Sequence, residues 1–155
     1  MRNVLITAAA VLAVAGAASA SETFNFMNVL SSRAQDDAGN EIRMVTFANS
    51  FLWNGSVTVS GMLTEINTGT FASEARFRVE TPSNGTAAFG AWTSTGGFTG
   101  STAVGPTTQT GTGLTGAPFN VFGQTFNLRF FESFVDASSG ADANWDSVDI
   151  TFNTW

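Results

Sequence analysis

The chain has 155 residues, 43% of them apolar and 12% charged, with six Arg, no Lys, twelve acids and neither His, Cys nor Tyr. That is bulk enough for one buried core, but it excludes a Ser-His-Asp triad, a thiolate nucleophile, a zinc site of the common kind and c-type haem attachment. The acidic balance also makes nucleic acid a poor partner, because phosphate binding rests on Lys and Arg.

Residues 1–20 read as a secretory signal peptide. Arg2 precedes an apolar, Ala-rich run over 4–18, and the stretch ends in Ala18-Ser19-Ala20, an A-x-A cleavage pattern. The run is too short and ends too abruptly for a transmembrane anchor. The mature chain is therefore expected to begin at Ser21, with five Arg against twelve acids, in a secreted or periplasmic location. Its 135 residues can bury enough surface to be stable without disulfides.

From residue 21 onward the apolar pattern has period two and is carried by Phe, Val, Ile and Thr, which predicts an all-β domain over 21–155. Residues 23–30 put Phe24, Phe26, Asn28 and Leu30 on one face. Strands follow at 42–48 and 55–63, the second with Val57, Val59 and Leu63 inward and Thr58 and Ser60 outward. The cleanest alternation is at 74–80, where Ala75, Phe77 and Val79 oppose Glu74, Arg76, Arg78 and Glu80. That charged side is expected to face water. Further strands are expected at 86–92, at 126–134 with Phe126, Leu128 and Phe130 inward, and at 147–152 with Val148, Ile150 and Phe152 inward. Asn54-Gly55 and Asn84-Gly85 read as hairpin turns. Between 93 and 118 lies a Gly/Thr-rich region, expected to mix loop with a Thr-rich edge strand and to be anchored by Phe98 and Leu114. Seven or more short strands with polar turns suggest a two-sheet antiparallel β-sandwich of jelly-roll type.

The most specific pattern is C-terminal. A strand with Phe126, Leu128 and Phe130 leads to Glu132 and Asp136, then to the turn Ala137-Ser138-Ser139-Gly140-Ala141-Asp142, then to Trp145-Asp146-Ser147-Val148-Asp149-Ile150-Thr151-Phe152. This resembles the closing strand pair of the P domain, the jelly-roll module appended to subtilisin-like convertases. The resemblance covers about a fifth of the chain, and it implies a β-sandwich that stabilises or binds and does not catalyse.

Asp136, Asp142 and Asp146 are candidate Ca²⁺ ligands, with Asp36, Asp37, Asn40 and Glu41 as a second cluster; each also reads as a solvated turn whose side chains bond the local backbone. Trp53, beside Asn54-Gly55, and Trp92, beside the Gly/Thr-rich region, are the two Trp residues expected to be exposed and able to stack on sugar rings. Glu132 with Asp136 or Asp149 are the carboxylate pairs that a small glycan hydrolase would need. The terminal Trp155 raises an outer-membrane barrel, but the register puts Asn153, Thr151, Asp149 and Ser147 on one polar face. The expected function is a non-catalytic surface-interaction or adhesion module that binds a glycan, another surface polymer or a secreted protein, stabilised by Ca²⁺. The glycan hydrolase and the barrel are the alternatives.

Overall fold

The computed structural model describes residues 21–32, 34, 37–66, 74–80, 87–93, 101–110, 118–134 and 140–155; for 87–93 the backbone alone is described. The expected signal peptide, Asp36, Asp136, Asn84-Gly85, Phe98 and Leu114 lie outside these residues.

The described chain is all-β. Its strands are β1 (Glu22–Ser31), β2 (Ile42–Thr46), β3 (Leu52–Glu65), β4 (Ala75–Glu80), β5 (Ala87–Thr93), β6 (Ser101–Thr110), β7 (Phe119–Asn120), β8 (Thr125–Glu132) and β9 (Ala143–Thr154). One antiparallel sheet, here called A, has the order β1-β9-β3-β6, with the two-residue β7 also on β3; the other, B, has the order β2-β8-β4-β5. The sheets are separate and open, so the described strands form a sandwich and not a closed barrel. The Thr-rich segment contributes β6 as an edge strand of sheet A.

The inner faces supply one core. Val57, Val59, Leu63, Trp145, Val148, Ile150 and Phe152 of sheet A meet Phe77, Val79, Phe126, Leu128 and Phe130 of sheet B. Phe47, just past β2, ties the layers edge-on, with ring centroids 4.8 Å from Phe152 and 5.7 Å from Phe126. These T-shaped contacts suit the aromatic quadrupole and add to burial.

Four expectations need correction. First, β1 does not keep one phase. Phe24 and Phe26 turn inward, but Val29 and Ser31 are the buried residues further on, and Leu30 is exposed. The slip occurs at Asn28, held at φ 52°, and the partner strand slips at the same level, because Met27 pairs with Ser147 and Val29 with Trp145. Asn is one of the few residues that tolerate that left-handed conformation.

Second, Asn54-Gly55 is not a hairpin turn but lies within β3. Gly55, at φ 90°, makes a bulge in the pairing to β9 between Trp53 and Val57, and Ser56 N donates to Asn54 Oδ1 at 3.0 Å. The bulge lets the strand run on, with Trp53 inward in the same alternating phase as Val57 and Val59.

Third, Trp53 is fully buried. Its ring lies 5.0 Å from that of Phe152, and its Nε1 donates to the Ser56 carbonyl at 2.8 Å, so it has no face left for a sugar.

Fourth, the charged side of β4 is not wet, because Arg78 and Glu80 are buried. Glu80 Oε1 accepts from Arg78 Nε and from Arg129 Nε, the latter at 2.7 Å. A carboxylate shared by two guanidiniums offsets much of the cost of leaving water.

Candidate functional site

The two sheets present different outer faces. On sheet A a row of threonines crosses four strands. Thr23 and Thr151 share a hydroxyl hydrogen bond of 2.7 Å, Thr151 pairs with Thr58, and Thr58 and Thr108 share one of 2.8 Å. Towards one end of the sheet, Asn153 Nδ2 donates to Ser56 Oγ and Thr58 Oγ1, both at 3.1 Å. In the other direction Asn25 Nδ2 donates to Asp149 Oδ1 at 2.8 Å, and Ser60 pairs with Asp149. Further along, Asn144 Nδ2 donates to Asp146 Oδ1 at 2.6 Å, and Thr64 bonds both Asp146 and Ser101.

Period-two alternation put these residues outward, and strand pairing brought them into register. With neighbouring strands about 4.8 Å apart and same-face residues about 6.8 Å apart, the result is a flat lattice of hydroxyl and amide groups. Its rows hold polar groups that donate and accept, except at the level between Asp149 and Asp146, where the exposed Met27 and Met62 flank Ser147.

The sequence-predicted site residues are dispersed. Asp142 is buried just before β9, where its backbone N–H donates to the Ser31 carbonyl at 2.9 Å and its carbonyl accepts from Ile66 N at 2.9 Å. Asp146 is on the outer face of β9, engaged by Thr64 and Asn144. Four residues of extended chain separate the two Cα atoms by about 13 Å, too far for both carboxylates to ligate one Ca²⁺. Asp136, the third of that set, is outside the described residues. Among the described residues no group of three acids is close enough to hold a metal. In the other acidic cluster, Asp37 Oδ1 accepts from Gly39 N at 2.7 Å, Asn40 Nδ2 donates to the Ala34 carbonyl at 2.7 Å, and Glu41 pairs with Arg43 and accepts from Leu30 N at 2.8 Å.

Of the carboxylates nominated for hydrolysis, Glu132 and Asp149 do not face each other, and Asp136 is outside the described residues. Glu132 is buried on the inward side of β8, whereas Asp149 is exposed on the outer face of sheet A. Trp92 pairs with Phe77 through the backbone of β5, and its side chain is outside the description. Trp145 is buried, with Nε1 donating to Ser31 Oγ at 2.7 Å. Trp155 is instead the exposed one among the described Trp residues, at 76%.

Sequence reasoning missed the threonine row as a unit. Each member was legible as outward, but the alignment of Thr23, Thr151, Thr58 and Thr108 depends on pairing across 128 residues of separation. Comparison with family models, with curated proteins and with solved structures returns no match.

Proposed function

We propose that this protein is an exported, non-catalytic sandwich module that binds a hydroxylated surface polymer, a glycan, through the outer face of sheet A. The observation that carries the reading is the four-strand threonine row with its flanking Asn, Ser and Asp groups. Extended polysaccharides present repeated hydroxyls, and a flat lattice of donors and acceptors can engage several at once. Weak single contacts then add through multivalency.

Export is supported by the residues 1–20 pattern, and among the described residues no helix is long and apolar enough to cross a membrane. The jelly-roll assignment is supported by the strand orders β1-β9-β3-β6 and β2-β8-β4-β5: without the short β7, these are the paired four-stranded sheets that two Greek keys produce. The non-catalytic reading is supported by the placement of Glu132 and Asp149 on opposite sides of the sandwich wall.

The test is co-sedimentation with insoluble neutral polysaccharides such as cellulose, chitin and starch granules. The wild-type chain is expected to pellet with at least one of them. The variant Thr58→Val with Thr108→Val is expected to stay in the supernatant with a thermal midpoint close to that of the wild type, because the β-branched shape is kept. Equal pelleting of the two would refute the assignment to sheet A.

A further inference from the structure

We propose that this chain assembles head to tail, with edge strand β6 of one copy hydrogen-bonded to edge strand β1 of the next, so that sheet A runs on from copy to copy. Among the described residues, β1 and β6 are the two ends of that sheet. Its four main strands alternate in direction, because β1-β9, β9-β3 and β3-β6 are all antiparallel pairs. β6 therefore runs opposite to β1, and a second copy brought up in the same orientation meets it antiparallel. An unpaired edge is a template for such addition unless charge, proline or a bulge blocks it. The inference does not rest on the glycan reading.

The backbone groups at both edges point outward at matching positions. In a strand of L-residues, the face that a side chain takes fixes the edge towards which its own N–H and C=O point. Leu30 is on the outer face, and its N–H turns away from β9 to the Glu41 carboxylate. The outward Thr23 therefore directs its N–H and C=O to the same open edge. At the opposite edge, on a strand of opposite direction, the rule turns those of Thr108 to the open side. The hydroxyl bonds agree, since Thr23–Thr151 and Thr58–Thr108 are close side-chain contacts of the kind made at non-hydrogen-bonded pairs, which leaves Thr151–Thr58 as the backbone-bonded pair between them. Thr108 against Thr23 of the next copy is then the backbone-bonded pair that continues this alternation, and it carries the threonine row across the seam. The matched segments are 107–110 and 21–24, with Thr110 and Ser21 as a second such pair.

Neither edge repels the other. β6 has no charged residue, and β1 has one, Glu22, whose carboxylate accepts from Ala48 N and Asn49 N of its own chain. Thr23, Asn25 and Thr108 are all exposed. Pro106, together with the register shift between Val59 and Gly61, ends the matched run on β6 at 107. A two-fold β6–β6 seam centred on Thr108 would set Pro106, which has no N–H to give, opposite Thr110, whereas β1 contains no proline. The complementary pairing is thus β6 with β1. Such a heterologous contact repeats from copy to copy, and its product is a filament.

The experiment is sedimentation velocity of the full chain over a rising concentration series, with negative-stain electron microscopy of the same samples. Species larger than dimers, growing with concentration, are expected for the wild type. Thr108→Pro removes an N–H that makes no bond to β3, so this variant is expected to stay monomeric with a thermal midpoint close to that of the wild type. Thr23→Pro does the same at the other edge, near the start of β1, and it decides alone if Thr108→Pro lowers the midpoint. Mixed in equal amounts, the two variants are expected to form dimers and nothing larger, since each keeps the edge that the other has lost. Wild type that stays monomeric throughout, a folded variant that assembles as the wild type does, or a variant that dimerises by itself would each overturn the proposal.

Discussion

Sheet A and sheet B share the same alternating strand pattern and the same core, yet their outer faces solve the problem of polar groups in opposite ways. On sheet A most outward residues are short and polar, apart from the exposed Met27 and Met62 beside Ser147, and the polar ones bond one another across strands while remaining near water. On sheet B the outward residues of β4 are long and charged, and the central ones are buried. The comparison teaches that outward position fixes neither exposure nor energetic weight. A surface hydroxyl can be lost cheaply because water replaces its partner, whereas a buried carboxylate that holds two guanidiniums cannot.

The sharpest way to break this contrast is at Glu80. Glu80→Ala leaves Arg78 buried without its carboxylate and Arg78 opposite Arg129 with nothing between them, so a loss of about 3–5 kcal/mol is expected in chemical denaturation. A loss below about 1 kcal/mol would show that the ion cluster is open to solvent.

A smaller but still large effect is expected on sheet A, at the one place where its strands come too close for a side chain. A Cβ on Gly61 would sit 2.0 Å from the Ser147 carbonyl oxygen and 2.9 Å from Val148 Cα. Gly61→Ala must therefore push β3 from β9, at about 1–3 kcal/mol. An unchanged unfolding midpoint would mean that the two strands are set further apart.

Much of the fold was legible in the sequence because period-two burial is a local signal. Phe77, Val79, Phe126, Leu128, Phe130, Val148, Ile150 and Phe152 are all on apolar faces of short alternating windows, and all are buried. What escaped was non-local. Asn28 reverses the phase of β1 without changing its composition, and Gly55 turns an apparent hairpin into a bulge, so that β3 begins before it and Trp53 joins Val57 and Val59 in the core. The alternation Glu74, Arg76, Arg78, Glu80 looks like a solvated face until Arg129, 49 residues from Glu80, is placed beside it. The candidate site was less legible still, since it depends on which strands become neighbours.

Smaller effects refine the sheet A side. Thr58→Val removes a hydroxyl that bonds Thr108 at 2.8 Å but keeps the β-branched shape, so stability should change by less than about 1 kcal/mol. A larger loss would make the threonine row a structural element rather than a binding surface.

The smallest effect concerns calcium. Because about 13 Å of extended chain separates the Asp142 and Asp146 Cα atoms, millimolar Ca²⁺ is expected to raise the thermal midpoint no more than Mg²⁺ at equal ionic strength, by screening the acidic surface. A Ca²⁺-specific rise abolished by Asp142→Asn would restore a site at that turn.

The claim that the outer face of sheet A is the binding surface is tested most directly by chemical-shift mapping on the isotope-labelled protein with a neutral oligosaccharide. The neutral sugar is expected to perturb Thr23, Thr58, Thr108 and Thr151 and to leave sheet B unmoved. Shifts confined to sheet B, or to the exposed Trp155 end, would contradict the account.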